Sequence, residues 1–152
     1  MTRSVRFALA TTLLVVLALG SVATAAASGR KVFDSSMAAI PAGAPTLFGV
    51  AGGGVAWVID EGDATLTATG RLHVEVQGLV LASSHTNPVG TGLAIVTCSG
   101  VVAATTAAVP FSAAGDAEVD ATVSLPSPCF APAVLFAGVT ANGDRWFAAT
   151  GF

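Results

Sequence analysis

Asp116, Glu118 and Asp120 alternate within one short stretch, DAEVD, which sets three carboxylates on one side of an extended strand. Paired carboxylates serve glycoside hydrolysis when they flank a substrate cleft with aromatic platforms. Besides phenylalanine, this chain offers only Trp57 and Trp146 as aromatic side chains. A solvated strand kept soluble by its charges is the simpler reading. Hydrolysis would require Asp116, Glu118 or His73 to line a cleft beside a second acid. His73 stands between Arg71 and Glu75 in another alternating stretch, and a metal there would need His85 or a further ligand brought to it. Asp60, Glu61 and Asp63 crowd Gly62 and offer hard oxygens, the ligands calcium takes about six to eight of. Their spacing matches no EF-hand loop, so an acidic turn is expected and calcium stays an open alternative. Ser83, Ser84 and His85 are adjacent, but neighbouring side chains diverge and do not make a nucleophile–base pair. G-x-S-x-G, H-E-x-x-H, the P-loop and the dinucleotide fingerprint are all missing. The sequence therefore assigns no catalytic residue, no metal ligand and no cofactor.

Cys98 and Cys129 are the only cysteines, and the N-terminus says where they work. Arg3 and Arg6 precede an uninterrupted run of apolar residues, alanine and threonine from Phe7 to Leu19, then Gly20-Ser21 and the small-residue triplet Ala23-Thr24-Ala25. This is the pattern of a secretory signal over 1–25, cleaved after Ala25 or, second, after Ala27. The apolar run is short of the roughly 20 residues a spanning helix needs. The expected product is secreted and has no membrane attachment after cleavage. In an oxidising compartment two cysteines pair, and closing a loop of this length contributes about 3–4 kcal/mol on the chain-entropy model. The mature chain keeps four basic residues (Arg30, Lys31, Arg71 and Arg145) against nine acidic ones. That balance argues against nucleic acid or an anionic membrane surface as partner.

These groups must be positioned by strands. From Thr65 to Val80 the even positions are apolar or glycine, and the odd positions to Gln77 are polar. Period two marks a strand with one face in a core. The parity survives Thr69-Gly70, which leaves one long strand kinked at Gly70 or a hairpin with a three-residue loop. Val55–Ile59 reads as a strand ended by the acidic turn, Gly78 as a bulge, and Ser83–Gly92 as a loop. Leu93–Cys98 and Val101–Val109 follow, then the clean alternation Asp116–Leu125, ended by Pro126-Ser127-Pro128. Asn142-Gly143 between two β-type runs predicts a type I′ hairpin. The fold class expected is all-β, an antiparallel β-sandwich, immunoglobulin-like or related, of seven to eight strands with one disulfide. It should span 55–152, behind a leader over 26–54 rich in Ala, Gly and Pro, with a possible edge strand at Val32-Phe33 or Leu47-Phe48. Trp57, Leu72, Val74, Val76, Val96, Val119, Val123 and Phe136 should fill the core.

The segments GGGVAW (52–57), GRLHVEVQGLVL (70–81), NPVG (87–90), VTCSG (96–100), VPFSAAGDAEV (109–119), LPSPC (125–129) and WFAATG (146–151) resemble a family of small secreted bacterial all-β proteins. That family has no assigned activity, so the resemblance implies no functional residue. The expected function is a secreted, non-catalytic structural or binding module with an unknown extracellular or envelope ligand. Its possible binding surface is Ser84, His85, Asn87 and Trp146, on or beside the loops Ser83–Gly92 and Ala141–Asp144. A small β-barrel carrier of a hydrophobic ligand is the first alternative, and a hydrolase using an acidic pair the second.

Overall fold

The computed structural model describes residues 29–151, so the expected signal segment lies outside the described residues. Eight strands of five residues or more form one antiparallel path. In chain order they are Lys31–Ala39 (β1), Glu61–Thr67 (β3), Arg71–Gln77 (β4), Thr91–Cys98 (β6), Val101–Thr105 (β7), Ala117–Thr122 (β9), Ala133–Thr140 (β10) and Gly143–Thr150 (β11). Three two-residue strands, Trp57–Val58 (β2), Val80–Leu81 (β5) and Val109–Pro110 (β8), complete the set. Spatially the path runs β7-β6-β10-β11-β1-β3-β4-β9, with β8 also on β6 and β2 paired to β5 apart from it. The sheet curls until β9, at one end of the path, lies beside β8 and β6 at the other. The all-β antiparallel class is as the alternating pattern requires, and the two cysteines form the expected single disulfide. No helix among the described residues is long and apolar enough to cross a membrane.

The curl makes two kinds of strand. In β4 and β9 burial alternates strictly at first, Leu72, Val74, Val76, Ala117 and Val119 inward, with Arg71, Glu75, Glu118 and Asp120 exposed between them. In β6, β10 and β11 burial is nearly continuous, because both faces are covered. Residues 40–57 fold against β11, through Ile40 N to Phe147 O (2.8 Å), Trp146 N to Ala51 O (3.1 Å) and Gly53 N to Trp146 O (3.2 Å). All eight expected core residues are buried, and Phe136, Leu72, Val74, Val76, Val96 and Val119 have almost no accessible surface. Fully burying such side chains contributes about 1.5–3 kcal/mol each.

Several expectations are corrected. The segment read as a leader supplies β1, which pairs with β3 over 31–36 and with β11 over 37–39 and so joins the two halves of the path. The expected acidic turn is also strand: Glu61 and Asp63 lie in β3, pairing with Gln77 and Glu75 of β4. Asp60 sits apart, against Gly78. Two of the three carboxylates therefore lie along a strand and the third precedes it, and they do not ring a calcium loop. Thr65–Val80 resolves into the hairpin alternative, with Ala68-Thr69-Gly70 as its three-residue loop. In the β10–β11 hairpin only Gly143 has positive φ (91°), and Thr140 pairs with Gly143. The turn thus centres on Ala141-Asn142, one residue earlier than a type I′ Asn-Gly turn would place it. Cys98 and Cys129 are bonded, with their Cα atoms 5.1 Å apart, and tie the end of β6 to the segment leading into β10.

Candidate functional site

The strand β4 carries the outward side chains Arg71, His73, Glu75 and Gln77, and register decides what each one meets. His73 lies between Thr65 of β3 and Asp120 of β9; Glu75 lies between Asp63 and Glu118; Arg71 faces Thr122. The acidic stripe of β9 thus meets the histidine, and not Arg71 as its direct cross-strand partner. His73 Nδ1 is 2.9 Å from Asp120 Oδ1 and 4.0 Å from Glu118 Oε1. The three side chains are 42%, 72% and 64% exposed. The hydrogen bond to His73 holds the Asp120 carboxyl below the usual carboxylate range, against a small opposing effect of burial, with a minor contribution from Arg71. Across the sheet, Lys31 does the same for Asp34 by hydrogen bond and charge.

Beside His73 an open groove of about 690 Å³ is lined by Thr65, Thr67, Arg71, Leu72, Asp120 and Thr122, among others. The row Thr65–His73–Asp120 has the order of nucleophile, base and orienting acid. The Thr65 hydroxyl, however, donates to Asp34 Oδ1 (3.3 Å). The lowered pKa of Asp120 suits an ionised, orienting carboxylate and is the opposite of what a general acid needs. What the arrangement does offer is three donor atoms, one imidazole nitrogen and two carboxylate oxygens, all within 4.8 Å of one another.

A second groove, of about 450 Å³, opens at the loop end of the sheet. Its lining brings together the Gly52-Gly53-Gly54-Val55 segment, Pro88 and Val89, and Thr140, Asn142 and Arg145 with Trp57 and Phe147, on whose rings Gly53 packs. The two rings stack with centroids 4.0 Å apart. Trp57 Nε1 is buried without a hydrogen-bond partner, which costs about 1–3 kcal/mol. Arg145 is half-buried, and Val55 is 54% exposed.

The residues singled out from sequence divide. Ser84 and His85 are exposed, Ser84 Oγ sharing a hydrogen bond with Thr86 Oγ1 (3.0 Å) and His85 having φ 52°. Asn87 is buried and structural: its Nδ2 donates to Val89 O (2.7 Å) and Ser112 O (2.8 Å), and its Oδ1 accepts from Val89 N (2.8 Å). Trp146 is buried too, its Nε1 donating to Pro45 O (3.2 Å), so it is no surface contact. The tryptophan at the loop groove is Trp57. No protein-family model matches the chain, and no curated protein or solved structure matches it either.

Proposed function

We propose that this chain is a non-catalytic binding module that works outside the cytoplasm, and that it carries its ligand in the loop-end groove. One observation carries the reading. The polar loops Ser83–Gly92 and Ala141–Asp144 and the triglycine segment all contribute lining to one groove, together with the stacked pair Trp57 and Phe147. Binding groups held on loops above a rigid sheet are the usual way such folds acquire ligands. The disulfide suits an oxidising compartment, in keeping with the signal-like N-terminus. The interior favours a module over a hydrophobic-ligand carrier, since the buried side chains pack into one cluster. Membership of the secreted bacterial family belongs to the same proposal.

A glycan and peptide array probed with the purified mature protein tests this reading. Binding should be lost in the double variant Val55→Asp, Arg145→Glu and kept in Asp120→Asn, with melting temperatures unchanged. Loss in Asp120→Asn alone would move the site to the polar face. A second reading has one observation in its favour: His73 and Asp120 line a groove with Glu118 adjacent. Turnover of chromogenic glycosides or esters that disappears in His73→Ala would replace the binding reading by hydrolysis.

A further inference from the structure

We propose that His73, Glu118 and Asp120 form a binding site for a divalent transition ion of the zinc class, separate from the loop-end groove and independent of its ligand. The imidazole carries the argument. Acidic surface groups alone attract any cation weakly, whereas one nitrogen with two carboxylate oxygens is a borderline-soft donor set. Such a set suits zinc, copper or nickel better than calcium or magnesium.

The positions are built by register. His73 is the Cα partner of Asp120, and Glu118 lies two residues along β9 on the same outward face. Beneath them Leu72, Val74 and Val119 are buried, so the backbone carrying all three ligands is anchored in the core. The ligand atoms are near the required spacing. At zinc–ligand distances of about 2.0–2.1 Å, neighbouring donors in a tetrahedron lie roughly 3.3 Å apart. The observed separations from His73 Nδ1 are 2.9 Å to Asp120 and 4.0 Å to Glu118. Both differ from that value by less than 1 Å, and all three donor atoms lie within 4.8 Å of one another, within reach of exposed side chains turning about their own bonds. The ion would take the place of the proton between His73 Nδ1 and Asp120, and water would complete its shell.

The surroundings also favour a cation. Asp63, Glu75 and Glu118 lie directly opposite one another across β3, β4 and β9, and like charges in that relation destabilise a sheet. Glu75 accepts a hydrogen bond from Gln77 Nε2 (2.8 Å), which leaves its charge in place. The cations on this face are Arg71, opposite Thr122, and Lys31, bonded to Asp34. A divalent ion between His73 and the two carboxylates is held with no net charge left over on its three ligands.

The test uses the disulfide-intact mature protein, titrated calorimetrically with zinc chloride and with calcium chloride. Long-range proton–nitrogen NMR of the two histidine rings is recorded alongside. One equivalent of zinc should bind, the His73 ring nitrogens should shift, and those of His85 should stay in place. His73→Ala should weaken zinc binding at least about ten-fold, a loss that even outer-shell changes can produce. Glu118→Gln and Asp120→Asn should each weaken it, with thermal melts matching the parent. Equal affinity for calcium, a shift at His85 in place of His73, or unchanged zinc binding in His73→Ala would each overturn the proposal.

Discussion

Gly115 and Gly143 have almost the same backbone twist, φ 92° and 91°, and differ in what surrounds them. A Cβ on Gly143 would meet nothing within 4 Å. One on Gly115 would lie 2.5 Å from both the nitrogen and the oxygen of Leu79 and 2.7 Å from its carbonyl carbon. That is roughly 1 Å inside the ~3.5 Å at which such atoms rest. The obstacle is backbone of a fully buried residue, so no side-chain rotation relieves it. Gly115→Ala must therefore push the turn away from Leu79 and stretch the Leu79 N to Gly115 O hydrogen bond of 2.9 Å. Left-handed strain should cost both alanine variants about 1–2 kcal/mol. Overpacking adds about 1–3 kcal/mol and the weakened hydrogen bond about 0.5–1.5 kcal/mol, for Gly115→Ala alone. The entropy that glycine replacement removes from the unfolded chain is common to both variants and cancels in the comparison. At about 4 °C per kcal/mol for a domain of this size, Gly143→Ala should melt some 4–8 °C below the parent. Gly115→Ala should melt at least about 10 °C below it. Thermal and urea melts followed by circular dichroism measure both. Equal losses in the two variants would refute the steric reasoning.

Removing the bridge with the double substitution Cys98→Ser, Cys129→Ser should lower stability by about 3–4 kcal/mol in urea melts, and an unchanged midpoint would contradict it. Because the Asp120 pKa is depressed, its contribution is present above the unfolded value of about 3.9 and lost as pH falls through the folded one. His73→Gln should therefore raise the Asp120 titration seen by carboxyl NMR, and no change would remove the hydrogen bond as its cause. The protein recovered from its host's medium should begin at Ala26 or Ser28 by intact mass. Full-length chain in the membrane fraction would rule out the cleaved signal.

Where one face of a strand is wet, the sequence states the structure almost directly. Glu61–Thr67, Arg71–Gln77 and Ala117–Thr122 alternate residue by residue, and burial follows them. Where both faces are covered, period two disappears, and runs such as GLAIVTC leave only length and flanking glycines to judge by. The segment KVFDSSMAA was hardest to read. Its serines and alanines look like a linker, and β1 is half-exposed for most of its length, each part paired with a single neighbour, β3 and then β11. Hydrogen bonding, with little burial, holds it in place, and hydrogen bonding leaves no hydrophobic signature. Asn87 misled in the opposite direction. Its side chain is saturated by three backbone groups, and a polar loop residue does not announce that from sequence.

The polar face was half legible for the same physical reason. Each alternation declares which of its side chains face water, so His73, Glu118 and Asp120 are recognisable one by one as outward residues. Their meeting depends on which strands are neighbours and on the register between them, and neither is local information. β4 and β9 are separated by four strands in the chain and adjacent in the sheet. Once they are adjacent, the buried residues fix which face of each strand enters the core. Val74 pairs with Val119, and Val76 with Ala117, so both apolar rows point inward together. A slip by one residue would turn Glu118 and Asp120 inward. A slip by two would preserve burial but separate His73 from Asp120. Core packing therefore excludes the first error without touching the second. The pairing of the histidine with the acid is the part of this face that burial alone does not dictate.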